Sequence, residues 1–147
     1  MKITSPAFSD GGSIPAKYTC DGGDAIPPLR FEDVPENAAA LALVMDDPDA
    51  PRGTWDHWIL WNIPPQTAEV REGVPPQAVN GRNSWGRTGW GGPCPPDREH
   101  RYFFCLFALD QKLDLPPGST KAELKAAMKG HIVDEAQLVG RYDRRRR

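Results

Sequence analysis

Tyr102-Phe103-Phe104-Cys105-Leu106-Phe107-Ala108-Leu109 runs for eight residues without a charge, a glycine or a proline. Strand alternation splits it into two sets: Tyr102, Phe104, Leu106 and Ala108 against Phe103, Cys105, Phe107 and Leu109. Both sets are apolar, so this strand is expected inside a sheet covered on both faces. Residues 40–45 are also continuously apolar, and 58–63 are similar with Asn62 the one polar residue; both read as buried strands, the second stopped by Pro64-Pro65. Shorter strands are expected at 3–8 and 29–31, and a last one at 137–142. Gly11-Gly12, Asp21-Gly22-Gly23-Asp24 and Val34-Pro35-Glu36-Asn37 read as turns. One helix is expected. Thr120 and Glu123 form a capping box, Leu124, Ala127 and Met128 share a face, and Gly130 stops it. The fold class is therefore mainly β: an antiparallel two-sheet β-sandwich with one or two short helices.

Composition narrows the function. The 147 residues read as a single domain, 1–147. Sixteen prolines and 14 glycines favour short strands over long helices. A net charge of −2 predicts no general attraction to nucleic acid or anionic membrane. No stretch approaches the roughly 18 apolar residues of a membrane span, and residues 1–12 lack the apolar run of a secretory signal. Three cysteines (Cys20, Cys94, Cys105) form no even set and no CxxC, so reduced thiols and a cytoplasmic location are expected. The basic end, 143–147, reads as a solvated, disordered tail.

The chemistry gathers at strand ends. Asp46-Asp47-Pro48-Asp49-Ala50-Pro51 closes one apolar run, and His57-Trp58 opens the next. Neighbouring antiparallel strands bring such ends together, so Asp47 and His57 are expected at one end of a sheet. His100 and Tyr102 are two positions apart and share a face at the start of the 102–109 strand. Taken singly, each has a plain structural explanation: a packed histidine, a tyrosine at the core rim, carboxylates in Asx turns. Taken together, they make a small pocket of two imidazoles, a phenol and a carboxylate. Imidazole N–H and phenol O–H groups suit a phosphate or carboxylate. Gly92, Pro95 and Pro96, in Gly91-Gly92-Pro93-Cys94-Pro95-Pro96, supply stiff walls. No metal or other cofactor is expected, because His57 and His100 show no recognisable ligand spacing. Cys94 reads as a small loop residue rather than a nucleophile. Trp85 and Trp90 lie in a Gly-, Pro- and Asn-rich stretch, 73–98, read as a long functional loop or a pair of short edge strands.

These residues resemble the phosphatidylethanolamine-binding protein family, in its compact bacterial and archaeal, Raf kinase inhibitor-like branch. Asp47-Pro48-Asp49-Ala50-Pro51 with His57-Trp58 resembles the first signature of that family. Gly92-Pro93-Cys94-Pro95-Pro96 with His100-Arg101-Tyr102 resembles the second. Tyr18-Thr19-Cys20-Asp21-Gly22, Pro27-Pro28-Leu29 and Ala127-Met128-Lys129-Gly130-His131-Ile132 also resemble this branch. Phe31 and Trp90 depart from its pattern, which has Trp and Tyr there. The resemblance implies an anion cavity near the surface lined by Asp47, His57, His100 and Tyr102, with Gly92, Pro95 and Pro96 as wall. It implies a small anion or a phosphorylated group as ligand, with a kinase- or protease-type protein partner and a homodimer as further expectations. The chain ends soon after its last strand, which implies a shallow cavity without a C-terminal lid. A non-catalytic binding protein is the first expectation. The alternatives are a hydrolase or lyase using the His57/His100 pair, and an interaction or inhibitor module acting through the Trp85/Trp90 loop.

Overall fold

A computed structural model describes residues 1–144. Its strands are β1 (Lys2–Thr4), β2 (Leu29–Glu32), β3 (Ala40–Asp47), β4 (Trp55–Ile63), β5 (Glu69–Val70), β6 (Val79–Asn80), β7 (His100–Leu109) and β8 (Ile132–Tyr142). One α-helix, α1 (Lys121–Met128), lies between β7 and β8, and a 3-10 turn covers Ala16–Tyr18. Every strand pairing is antiparallel. A three-stranded sheet has the order β1-β2-β5, and a five-stranded sheet the order β6-β4-β3-β7-β8. The mainly β, two-sheet architecture is the one expected.

The two faces of β7 part as their alternation demands. Tyr102, Phe104, Leu106 and Ala108 enter the main core, with Leu41, Leu43 and Met45 of β3, Trp58 and Leu60 of β4, and Ile3, Leu29 and Phe31 of the smaller sheet. Phe107 and Leu109 face the other way, against Leu113 and against Leu124 and Met128 of α1. The helix begins where its capping box was expected. The Thr120 hydroxyl accepts from the Glu123 backbone N–H at 3.2 Å, and the Glu123 carboxylate accepts from the Thr120 N–H at 2.9 Å. Lys121, in the first turn, holds α1 to the sheet by bridging Asp46 at 3.0 Å and Asp56 at 2.7 Å.

Several expectations need correction. The first strand stops at Thr4, because the Ser5 hydroxyl turns the chain by donating to the Pro28 carbonyl and accepting from the Ala7 N–H. Within 73–98 only Val79–Asn80 joins a sheet, with an isolated Arg82–Thr88 bridge beyond it. Cys20 and Cys94 form a disulfide, while Cys105 is free. The expected reduced thiol state is overturned, and the cysteine argument for a cytoplasmic location falls with it. Of the basic tail, 145–147 lie outside the described residues. Asp143 is buried, and Arg144 donates to Asp21 at 3.1 Å. Among the described residues, no helix is long and apolar enough to cross a membrane.

Candidate functional site

β3 and β7 are neighbours, so the C-terminal end of one lies beside the N-terminal end of the other. Asp47 ends β3 and His100 begins β7. The Asp47 carboxylate spans both elements. Its Oδ1 accepts from the Asp49 N–H at 2.8 Å, shaping the turn after β3. Its Oδ2 lies 2.7 Å from His100 Nδ1, with both residues buried. The other His100 nitrogen, Nε2, lies 2.7 Å from Asp97 Oδ1. With both carboxylates ionised, each ring nitrogen must carry a proton. The His100 bond holds the Asp97 carboxyl below its ordinary range.

Asp49 fastens the turn to β7. Its two oxygens accept from Arg101 through the backbone N–H, Nε and Nη2, each at 2.9 Å. This bidentate bond keeps the Asp49 carboxyl down at about 2. The turn that begins with Pro48 is thereby closed on the strand carrying His100 and Tyr102.

His57 reaches the site by a different route. Met45 pairs with Trp58, but Asp46 pairs with Asp56. β4 therefore carries one residue more than β3 at this point, and the odd residue is His57. Strict alternation would put His57 on the face opposite Trp58. The bulge turns it to the same face, where its ring meets Tyr102 edge-on at 5.3 Å and Trp85 edge-on at 5.0 Å. His57 Nδ1 lies 2.7 Å from the Gly91 carbonyl. A carbonyl only accepts, so the proton sits on Nδ1. Burial pushes the His57 pKa below 6.5, against the pull of the Gly91 carbonyl and of Asp47, Asp24 and Asp46.

That shift makes a stability prediction. The unfolded chain takes up the His57 proton before the folded chain does. The contribution is whole above pH 6.5 and is lost as pH falls through the folded value. The denaturation midpoint is expected to drop between about pH 7 and about pH 5, and to drop less in His57→Gln. Equal drops in both proteins would remove His57 as a source.

These groups surround a cavity of about 680 Å³, within the size range of small-molecule sites. Asp47, His57, His100 and Tyr102 line its polar end, and Pro95 and Pro96 form a wall. Trp55 and Trp85, 36% and 39% exposed, stand at its mouth and meet edge-on at 5.5 Å. Tyr102 is fully buried, and its hydroxyl has no hydrogen-bond partner among the described residues. Burial, then the charges of Asp47 and its neighbours, push its pKa well above the ordinary value, so it stays a phenol.

The sequence-derived set is thus brought together, with changes. Asp47 pairs with His100 rather than with His57. His100 offers no free nitrogen, so it positions groups instead of presenting a donor. Gly92 does not line the cavity. It lies behind the wall, where a Cβ would strike the Tyr18 carbonyl and the Asp24 carboxylate. Its neighbour Gly91 makes the useful contact, through its carbonyl to His57. Trp90 is half-buried against Trp58 and Phe104 at 5.3 and 6.4 Å, so it is a core residue and not half of an exposed loop pair. Cys94 is tied to Cys20 and is no nucleophile. Asp97 was missed, although its place three residues before His100 was a usable signal.

Comparison with known proteins adds the relatives. The family model described as phosphatidylethanolamine-binding protein matches residues 4–143. A UPF0098 protein of Methanothermobacter thermautotrophicus is 48% identical, over 98% of this chain and 99% of that protein. A crystal structure described as a phosphatidylethanolamine-binding protein homolog, from Chlamydia trachomatis, superposes with a TM-score of 0.94 at 46% identity, covering 96% of this chain and 95% of the other. Escherichia coli YbcL, described as a new member of the mammalian family, superposes with a TM-score of 0.86 at 30% identity, covering 96% of each chain.

Proposed function

The chain belongs to the phosphatidylethanolamine-binding protein family, and on that premise we propose that it is a non-catalytic binding protein for a small oxyanion, either free or carried as a phosphorylated group on a partner. The whole chain acts as one binding unit, with the cavity between Asp47, His57, His100 and Tyr102 as its site. The observation that carries this reading is the Tyr102 hydroxyl. It is buried on a residue that lines the cavity and has no partner among the described residues, and a buried donor left unpaired costs about 1–3 kcal/mol. A ligand oxygen would satisfy it. Pro95 and Pro96 fix the wall without offering competing donors.

The catalytic alternative is less well supported. A base oriented by Asp47 would have to be His100, whose second nitrogen already faces Asp97. The exposed tryptophan pair at the mouth supports a partner that brings its phosphorylated group to the cavity and rests on Trp55 and Trp85.

Tyr102→Phe tests the reading. It is expected to weaken inorganic phosphate binding by about ten-fold, read by calorimetry, and to leave the fold at least as stable as the parent, because an unpaired buried hydroxyl has been removed. Unchanged phosphate affinity would take Tyr102 out of the site.

A further inference from the structure

We infer that the cavity selects an oxyacid group that still carries a proton, such as hydrogenphosphate or a singly protonated phosphoryl ester, over a fully deprotonated anion of the same size and charge. The inference rests on the binding reading above and adds which form of the anion fits. At the polar end of the cavity, two side-chain atoms lack a partner among the described residues: Tyr102 Oη and His57 Nε2. They are not two donors. The bond from Nδ1 to the Gly91 carbonyl, at 2.7 Å, fixes the tautomer of the neutral ring, so Nε2 presents a lone pair. The Tyr102 hydroxyl can donate. The polar end therefore offers one acceptor and one donor, on rings whose centres lie 5.3 Å apart.

The surrounding groups do not change that pattern. His100 has both nitrogens on carboxylates. Asp47 has both oxygens engaged, by Asp49 and His100. Asp46 and Asp24 act on the His57 ring at longer range, and burial outweighs them and keeps it neutral near pH 7. Arg52 and the indoles of Trp55 and Trp85 also line the cavity, and as donors only they serve phosphate and sulfate alike. A tetrahedral oxyacid with adjacent P–OH and P–O⁻ groups matches this pair. Its hydroxyl donates to His57 Nε2, and its charged oxygen accepts from Tyr102. Sulfate has nearly the same shape and the same double charge as hydrogenphosphate, but only acceptors. It would set a lone pair against a lone pair at Nε2. A site built to meet a ligand hydroxyl discriminates strongly against an analogue without one.

The test is calorimetry on the full chain with sodium phosphate and sodium sulfate, at about pH 8 and matched ionic strength. Phosphate is expected to bind at least ten-fold more tightly than sulfate, on the order of one lost hydrogen bond or more. In His57→Ala the two ions are expected to bind within about two-fold of each other, since the discriminating acceptor is gone. Equal binding of the two ions by the parent protein, or tighter sulfate, would overturn the inference and leave the oxyanion site standing. Binding of neither ion would overturn the site itself and this inference with it. If His57→Ala fails to fold, the comparison on the parent protein decides alone.

Discussion

Reduction of the Cys20–Cys94 bond is expected to cost the fold about 4 kcal/mol, equivalent to a fall in melting temperature of roughly 10 °C. The bond joins residues 74 positions apart, so opening it releases a long loop in the unfolded chain. It also ties the cavity wall to the turn at Cys20, where the Cys20 N–H donates to the Pro93 carbonyl at 3.1 Å. Without the covalent link, that bond and the Gly91 contact to His57 are left to hold the wall. Thermal melts with and without reductant, beside a Cys20→Ser/Cys94→Ser double variant, give the measurement. The parent protein should fall to the level of the variant on reduction, and the variant should not respond. A melting point indifferent to reductant would mean that the bond contributes nothing to stability.

Asp47→Ala is expected to destabilise by about 3–5 kcal/mol, the scale for removing one partner of a buried ion pair. The lost carboxylate satisfies His100 Nδ1 and the Asp49 N–H at the same time. The ring would keep only Asp97, whose side chain is 45% exposed and screened by solvent. Asp47→Asn should cost less, because its amide oxygen can still accept one of the two bonds. Urea denaturation of the three proteins tests this ordering. A loss below about 1 kcal/mol in the alanine variant would remove Asp47 as the organiser of the site.

What could be read from the residues alone was the part governed by regular geometry. The two apolar sets of β7 predicted two buried faces; the structure buries the first set in the main core and Phe107 and Leu109 of the second in the core under α1, while Phe103 and Cys105 are half-buried. Thr120 and Glu123 marked the start of α1 because a capping box is a local arrangement. That Asp47 and His57 lie at one end of a sheet followed from strand ends meeting across an antiparallel pair; that Asp47 bonds His100 did not. What the residues alone do not show depends on irregular or long-range geometry. His57 faces the cavity only because β4 gains a residue against β3, and alternation carries no sign of that. Cys20 and Cys94 come to a Cα separation of 5.4 Å through the fold of the whole chain, and three cysteines do not reveal which two will meet. Gly91 and Gly92 are equivalent as letters. Only the turn decides which carbonyl reaches the imidazole.

The extra residue in β4 has a further meaning. The ladder pairs Met45 with Trp58 and Asp46 with Asp56, passing over His57. His57 is therefore supernumerary to the sheet: a chain lacking it would close β3 and β4 into a more regular ribbon. Most residues of this strand answer to packing and pairing at once, and changes in them are limited by both. The imidazole is an extra residue in the ladder, and it lines the cavity. The chemistry at this point can be exchanged by altering one letter, without renegotiating the register on either side.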